Sequence, residues 1–357
     1  MNSGEPIGAG QAAGAADELI IRFDKGVDLQ KINALLQQAR ERGGALQETI
    51  STLNLVAIYF NNAQYEKARD ALEAAGILHP CRLVVLIADE TQQQESLTAR
   101  VSVVRSGGAV SLERIVLTAT GRAVRHLESA MMSLLLAELP MVVVWGGRPQ
   151  GDLLQRAVES ADRIIIDSGA RPPTYLAETA KFLGKGAPIG DQAWARIFPW
   201  QGIAAEVLDL PNLREHRGNI TKARVVCAGA VGAEGLLLLG WMQSRIKRLQ
   251  VEIRAEGEPE EEETAPKAAS GMAKPAPVSL GHVKLFEFEA PPATFTFRRE
   301  KGILVAEVKG DDDGAVAHRT RLPAETPGRL LALELKLLSG QDELYAASAQ
   351  AAAKLLK

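Results

Sequence analysis

The stretch that decides the fold reads Glu138-Leu-Pro-Met-Val-Val-Val-Trp145-Gly-Gly-Arg148-Pro149. From Met141 to Val144 it is apolar on both faces, the pattern of a strand covered on two sides inside a parallel sheet. Immediately before it, Arg122 to Ala137 has the spacing of an amphipathic helix, with Leu127, Ala130, Met131, Leu134 and Leu135 on the inward stripe. After it, Asp152 to Ser160 reads as a short helix and Arg163-Ile-Ile-Ile166-Asp167-Ser168 as a second buried strand. A helix follows Pro172-Pro173, and then comes Asp191-Gln-Ala-Trp194-Ala-Arg196-Ile-Phe-Pro-Trp200. Strands and helices alternating at this spacing predict an α/β sheet with helices on its faces.

Both central strands end in polar or aromatic residues at their carboxyl ends, where open parallel sheets present functional groups. Trp145 and Arg148 follow one strand, and Asp167 and Ser168 follow the other. With Asp191, Trp194, Arg196 and Trp200 they form the candidate site. Three of the four tryptophans fall in this set, and tryptophan and arginine dominate binding hot spots. The alternative is structural: Asp167-Ser168 caps a turn, and the tryptophans are core.

Working outward, residues 1–17 read as a flexible tail and 18–77 as a small α/β unit. That unit has a strand over Glu18 to Phe23, a helix over Asp28 to Arg42 with Asp28 as N-cap, and a strand over Thr52 to Tyr59. Its second helix, Tyr65 to Ala75, is expected to stop at Gly76. Residues 78–255 form the central α/β domain. It starts with the strand Arg82 to Ile87 and a hairpin whose arms, Leu97 to Val104 and Ser111 to Thr118, meet at Gly107-Gly108. An antiparallel portion therefore precedes the parallel one. Arg100, Arg105, Arg114, Arg122 and Arg125 make this stretch basic, either as a solvated face or as a patch for an acidic partner or sugar phosphate.

Residues 256–279, with the self-repelling run Glu258-Pro-Glu-Glu-Glu-Glu263, read as an acidic, Pro/Ala-rich linker. Residues 280–357 read as a separate α+β domain of three strands and two helices. The predicted class is thus α/β: a mixed, largely parallel sheet flanked by helices, with a small α+β domain at the carboxyl end.

Composition narrows the function. Hydrophobic residues make up 46%, enough for a large core, and the net charge of −3 argues against nucleic acid as a partner. No apolar run approaches the roughly 20 residues that span a bilayer, and Met1 to Ala16 lacks a signal-peptide pattern, so a cytoplasmic location is expected. Cys81 and Cys227 are read as buried small hydrophobes. The five histidines, His79, His126, His216, His282 and His318, are scattered with no metal-ligand spacing. There is no P-loop, no G-x-S-x-G elbow and no H-E-x-x-H pair. Gly229, Gly232 and Gly235 precede a helix, and Glu252 lies on the next strand. Their G-x-x-G-x-x-G spacing departs from the dinucleotide fingerprint and is equally explained by tight strand–helix packing. No cofactor, metal site or catalytic residue is assigned.

Leu139-Pro-Met-Val-Val-Val-Trp145, Ala161-Asp-Arg-Ile-Ile-Ile-Asp167-Ser168 and Asp191-Gln-Ala-Trp194-Ala-Arg196-Ile-Phe-Pro199-Trp200 resemble the glucose-6-phosphate dehydrogenase assembly protein family, OpcA. Asn54-Leu-Val, His79-Pro-Cys-Arg82 and Gly235-Leu-Leu-Leu-Leu-Gly-Trp241 fit in the same order, so the resemblance covers roughly Asn54 to Arg248. It implies a non-enzymatic protein that binds glucose-6-phosphate dehydrogenase and promotes its active oligomer. Self-association is left open. The alternative is a sugar-phosphate- or nucleotide-binding α/β enzyme, or a metabolite sensor, using Asp167, Ser168 and Asp191 at the sheet edge.

Overall fold

The computed structural model describes residues 18–23, 26–41, 51–106, 109–147, 157–169, 171–257, 281–310, 316–323 and 325–356. The chain divides into two compact units, 1–139 and 140–357.

In the first unit, β1 (Leu19–Arg22), α1 (Leu29–Glu41), β2 (Leu53–Tyr59), α2 (Asn62–Leu78) and β3 (Cys81–Asp89) come first. They are followed by the hairpin β4 (Ser96–Ser106) and β5 (Ala109–Thr120), and by α3 (Leu127–Leu134). The strands lie in the order β1-β4-β5-β3-β2. β2, β3 and β5 run parallel, and the β4–β5 hairpin with β1 supplies the antiparallel edge. Asp28 caps α1 as its position predicts, accepting the amides of Gln30 and Lys31 at 3.1 and 3.2 Å.

Two expectations change here. α2 starts earlier, because Asn61 caps it by accepting the Gln64 amide at 2.9 Å. It also runs through Gly76, whose missing side chain makes room for the sheet: a β-carbon there would sit 2.8 Å from Leu112 Cδ1. The helix predicted from Arg122 forms a 3-10 turn, Gly121–His126, before α3.

The basic stretch is mostly internal bracing. Arg114, 1% exposed, donates to Ser102 and Glu18 at 2.9 Å and pairs with Glu73. Arg105 donates to the carbonyls of Ala39 and Arg40. Arg122 and Arg125 are exposed.

The second unit opens with β6 (Met141–Trp145), β7 (Arg163–Ile166) and β8 (Ile189–Asp191), all parallel and fully buried. Helix α4 (Pro173–Leu183) precedes β8, and α5 (Gln192–Leu208) follows it. Among strands β1 to β8, four pairings, β2 with β3, β3 with β5, β6 with β7 and β7 with β8, are parallel and two, β1 with β4 and β4 with β5, are antiparallel. The strands are therefore mixed and largely parallel, as predicted.

Next come β9 (Lys222–Ala228), α6 (Ala233–Arg245) and β10 (Gln250–Glu256), a parallel strand–helix–strand unit. Gly235 serves packing: a β-carbon there would lie 2.6 Å from Cys227 Sγ.

β11 (Val283–Ala290), β12 (Ala293–Glu300), β13 (Ile303–Lys309) and β14 (Val316–Arg321) complete a six-stranded sheet in the order β10-β9-β11-β12-β13-β14. Of the linker read over 256–279, residues 258–279 lie outside the described set and Glu256 ends β10; β9 and β10 before it and β11 after it share this sheet, β11 pairing antiparallel with β9. The Asp311-Gly314 turn, Gly107-Gly108 and most of the predicted Asp152–Ser160 helix also lie outside the described residues.

Phe288 and Phe295 stack at 4.7 Å and Phe286 and Phe297 at 5.5 Å, filling one face of the sheet. Helices α7 (Pro327–Glu334) and α8 (Glu343–Lys354) close the chain. α8 lies hard against α6, where a β-carbon on Gly240 would come within 2.2 Å of the Ser348 carbonyl oxygen.

Both cysteines are buried and free, and burial pushes the Cys81 thiol up to about 12 and the Cys227 thiol to about 11. Neither is a thiolate near neutrality.

Candidate functional site

Strands β6 and β7 deliver Trp145, Asp167 and Ser168 to their carboxyl edge, as their endings predict, and β8, a strand not read from the sequence, delivers Asp191 there. Asp191 is the centre. It ends β8 and caps α5, accepting the Ala193 amide on Oδ1 at 3.0 Å. The same oxygen accepts the Ser168 amide at 2.9 Å, which ties the turn after β7 to the end of β8. Oδ2 accepts the Ser168 hydroxyl and, at 3.0 Å, the Tyr345 hydroxyl arriving from α8. A carboxylate has about four lone-pair sites, and all four are filled here.

This saturation fixes the chemistry. Asp191, Ser168 and Tyr345 are each fully buried. The Ser168 hydroxyl donates to the carboxylate and, like it, is shut away from solvent. Burial drives Asp191 up to about 6, against the opposing pull of the Ser168 hydrogen bonds. Burial likewise raises Tyr345 well above the usual phenol range, with Asp191 adding to the shift. The cluster is a brace joining β7, β8, α5 and α8.

Two of the other candidates extend the brace inward. Trp194 and Trp200 are both 2% exposed, the structural outcome anticipated for at least one of them. Trp194 donates its indole N–H to Asp342 at 3.2 Å and lies 5.8 Å from the Tyr345 ring. Trp145 is buried at the end of β6. Arg148 lies outside the described residues.

Asp167 and Arg196 are partly exposed, at 28% and 13% of their side chains. They form a two-pronged pair, with Nη1 to Oδ1 at 2.7 Å and Nη2 to Oδ2 at 2.9 Å. Burial works against the Arg196 charge, Asp167 more than offsets it, and the guanidinium is held above its ordinary range. Gly169 makes the contact geometrically feasible, because a β-carbon there would fall 2.6 Å from Nη1. Arg196 Nε also approaches Glu234 on α6 at 3.8 Å, and Glu234 lies 3.4 Å from His282 Nδ1.

Sequence reading missed Tyr345, Asp342, Glu234 and a buried ion pair, Arg163 with Glu334 at 2.8 Å. Their partners are far away in the chain and follow no short motif. It also passed over Phe198, an aromatic on α5 that is 39% exposed and meets the Trp194 ring edge-on at 6.0 Å. Among the described residues no cluster of His, Cys, Asp and Glu is arranged to hold a metal, and no helix is long and apolar enough to cross a membrane.

Fold and site together define an α/β protein whose sheet edge is closed by its own carboxyl-terminal helices. Residues 72–181 match the family described as Glucose-6-phosphate dehydrogenase subunit N-terminal domain, and residues 187–349 match the corresponding C-terminal domain. The chain belongs to this family, the OpcA family. It is 30% identical over 191 residues to the OxPP cycle protein OpcA of Synechocystis sp., a match covering 49% of this chain and 40% of that protein. It is 27% identical over 188 residues to the OpcA of Nostoc punctiforme, covering 50% and 40%, and 24% identical over 189 residues to that of Synechococcus elongatus, covering 50% and 42%. The matched stretch thus spans well under half the length of these relatives. The family bears the name of a dehydrogenase subunit, not of a reaction of its own.

Proposed function

We propose that this protein binds glucose-6-phosphate dehydrogenase and promotes its active oligomer, acting in the oxidative pentose phosphate pathway without catalysing a reaction itself. The observation that carries this reading is the match to both named domains, which runs from residue 72 to residue 349. The site geometry supports it: the most distinctive side chains are locked into a brace that offers no free nucleophile or base. The physical mechanism is linkage, since a partner that binds the active assembly more tightly than the inactive one draws the population toward it.

On this reading Asp167, Arg196 and the exposed Phe198 belong to the contact surface. Trp145, Ser168, Asp191, Trp194 and Trp200 hold that surface in shape from beneath. Phe198 is the sharper probe, because its removal leaves no buried charge unpaired.

The test is dehydrogenase kinetics with increasing amounts of this protein, read alongside the size of the dehydrogenase assembly. Saturable activation that tracks a larger complex is expected. For Phe198→Ala, the half-saturating concentration should rise about tenfold or more if the residue is a hot spot. No change in rate or size with the dehydrogenase of the same organism would overturn the proposal.

A further inference from the structure

The first unit carries a feature that the partner reading does not use, an open polar cleft of about 470 Å³. That volume lies within the roughly 300–1,000 Å³ typical of small-molecule sites. It sits at the carboxyl ends of β3 and β5, beside the first residue of α2, Asn62. Strand register explains its floor. Arg22 on β1 pairs with Thr98 on β4, Thr98 with Thr118 on β5, and Thr118 with Ile87 on β3. One row therefore crosses four strands and presents a guanidinium, two hydroxyls and one apolar side chain. Residues two further along a strand share its face, so Ser96, Thr120 and Asp89 form a second row beside the first.

The groups differ in how far they are already used. Asp89 is turned to its own loop, accepting the Thr91 amide and hydroxyl and the Gln92 side-chain amide. Ser96 and Thr120 bond each other, and Thr120 also donates to the Gln94 carbonyl. Arg22 is exposed, and among the described residues no carboxylate lies within ion-pair distance of it. Thr98 and Thr118 likewise keep their hydroxyls for the cleft. Among the described residues, Arg22 is thus a cation without an ion-pair partner beside a wall of hydroxyl and amide groups. That combination matches a small polyhydroxylated molecule with one anionic substituent: the guanidinium takes the anion, and the hydroxyls and amides take the polyol.

We propose that this cleft binds a small anionic polyol of the sugar-phosphate class, with Arg22 on the anionic group and Thr98 and Thr118 on the hydroxyls. The site is independent of the dehydrogenase reading, and the two fail separately: a chain that activates the dehydrogenase yet binds no sugar phosphate overturns this inference alone.

The experiment is calorimetric titration of the full chain with glucose 6-phosphate, and with its two halves, glucose and inorganic phosphate. Saturable binding of glucose 6-phosphate is expected, at least about tenfold tighter than either half. Arg22→Ala should weaken glucose 6-phosphate by about tenfold or more, since it removes a charge-assisted contact, with the melting temperature unchanged. The isosteric pair Thr98→Val and Thr118→Val should weaken glucose 6-phosphate while leaving inorganic phosphate unaffected. Absence of glucose 6-phosphate binding would overturn the proposal. So would binding indifferent to Arg22→Ala, or inorganic phosphate binding as tightly as the sugar phosphate.

Discussion

Both units of this protein end a set of parallel strands in polar side chains, yet the two edges have opposite fates. In the second unit the edge is closed around Asp191, whose lone pairs are all taken and beside which Tyr345 and Trp194 pack, and it stays partly exposed at Asp167 and Arg196. In the first unit the edge is open, and Arg22, Thr98 and Thr118 face a cleft. The difference lies in what arrives from elsewhere in the chain. Helix α8 brings a tyrosine to the second edge, while among the described residues the first edge receives the amino end of α2. Residue type alone therefore does not reveal which groups at a strand end the chain will cover.

Removing the keystone should break this contrast most severely. Asp191→Ala deletes an N-cap and strands the Ser168 and Tyr345 donors inside the core. The expected loss is about 3–5 kcal/mol, a large share of a typical domain's stability. All four tryptophans, at positions 145, 194, 200 and 241, lie in the second unit, so tryptophan fluorescence during guanidinium unfolding reports that unit. A midpoint unchanged from the wild type would refute the brace.

The same carboxyl sets a pH dependence. Burial raises Asp191 from its ordinary value to about 6, so between these values the folded state holds a proton that the unfolded state has released. Stability from this group is fully present below about pH 4 and is lost as pH rises through about 6. Between about pH 5 and about pH 7.5 the second unit should lose about 1.4 kcal/mol, and Asp191→Asn should abolish that part of the slope. An identical slope in wild type and Asp191→Asn would assign the titration elsewhere. Tyr345→Phe, which keeps the ring against Trp194 and removes one hydrogen bond, should cost about 1 kcal/mol in the same unfolding assay.

The legibility of the sequence divides along the same line. The strands β6 and β7 could be read from their apolar runs, and the cap at Asp28 from its place before an amphipathic helix, because both signals are local. The candidate residues at the carboxyl edge were correctly placed there, but as groups facing outward. Trp145, Trp194 and Trp200 are buried, Trp194 against Asp342 and Tyr345 of α8 and its cap, and Tyr345 is 154 residues from its partner Asp191. Helical periodicity in the alanine-rich α8 marks an inward face without naming what that face meets. Gly76 misled for a related reason: it looked like a helix stop and is a contact point for Leu112. The cleft residues were hidden too, since Arg22, Thr98 and Thr118 come from three strands and only the register aligns them.

The smallest expected effect sharpens the comparison furthest. Ser168→Ala and Thr118→Val each remove one hydroxyl from the carboxyl edge of a sheet. Ser168 donates to a fully buried carboxylate, so its loss should cost about 1–3 kcal/mol. Thr118 keeps its hydroxyl for the cleft, and its replacement keeps the side-chain shape, so the change in stability should stay within about 0.5 kcal/mol. Thermal unfolding monitored by circular dichroism measures both. If Thr118→Val proved as costly as Ser168→Ala, that hydroxyl would be structural and the first edge would be as closed as the second. A near-neutral Thr118→Val beside a damaging Ser168→Ala leaves the first unit's hydroxyl free to bind and the second unit's committed to the fold.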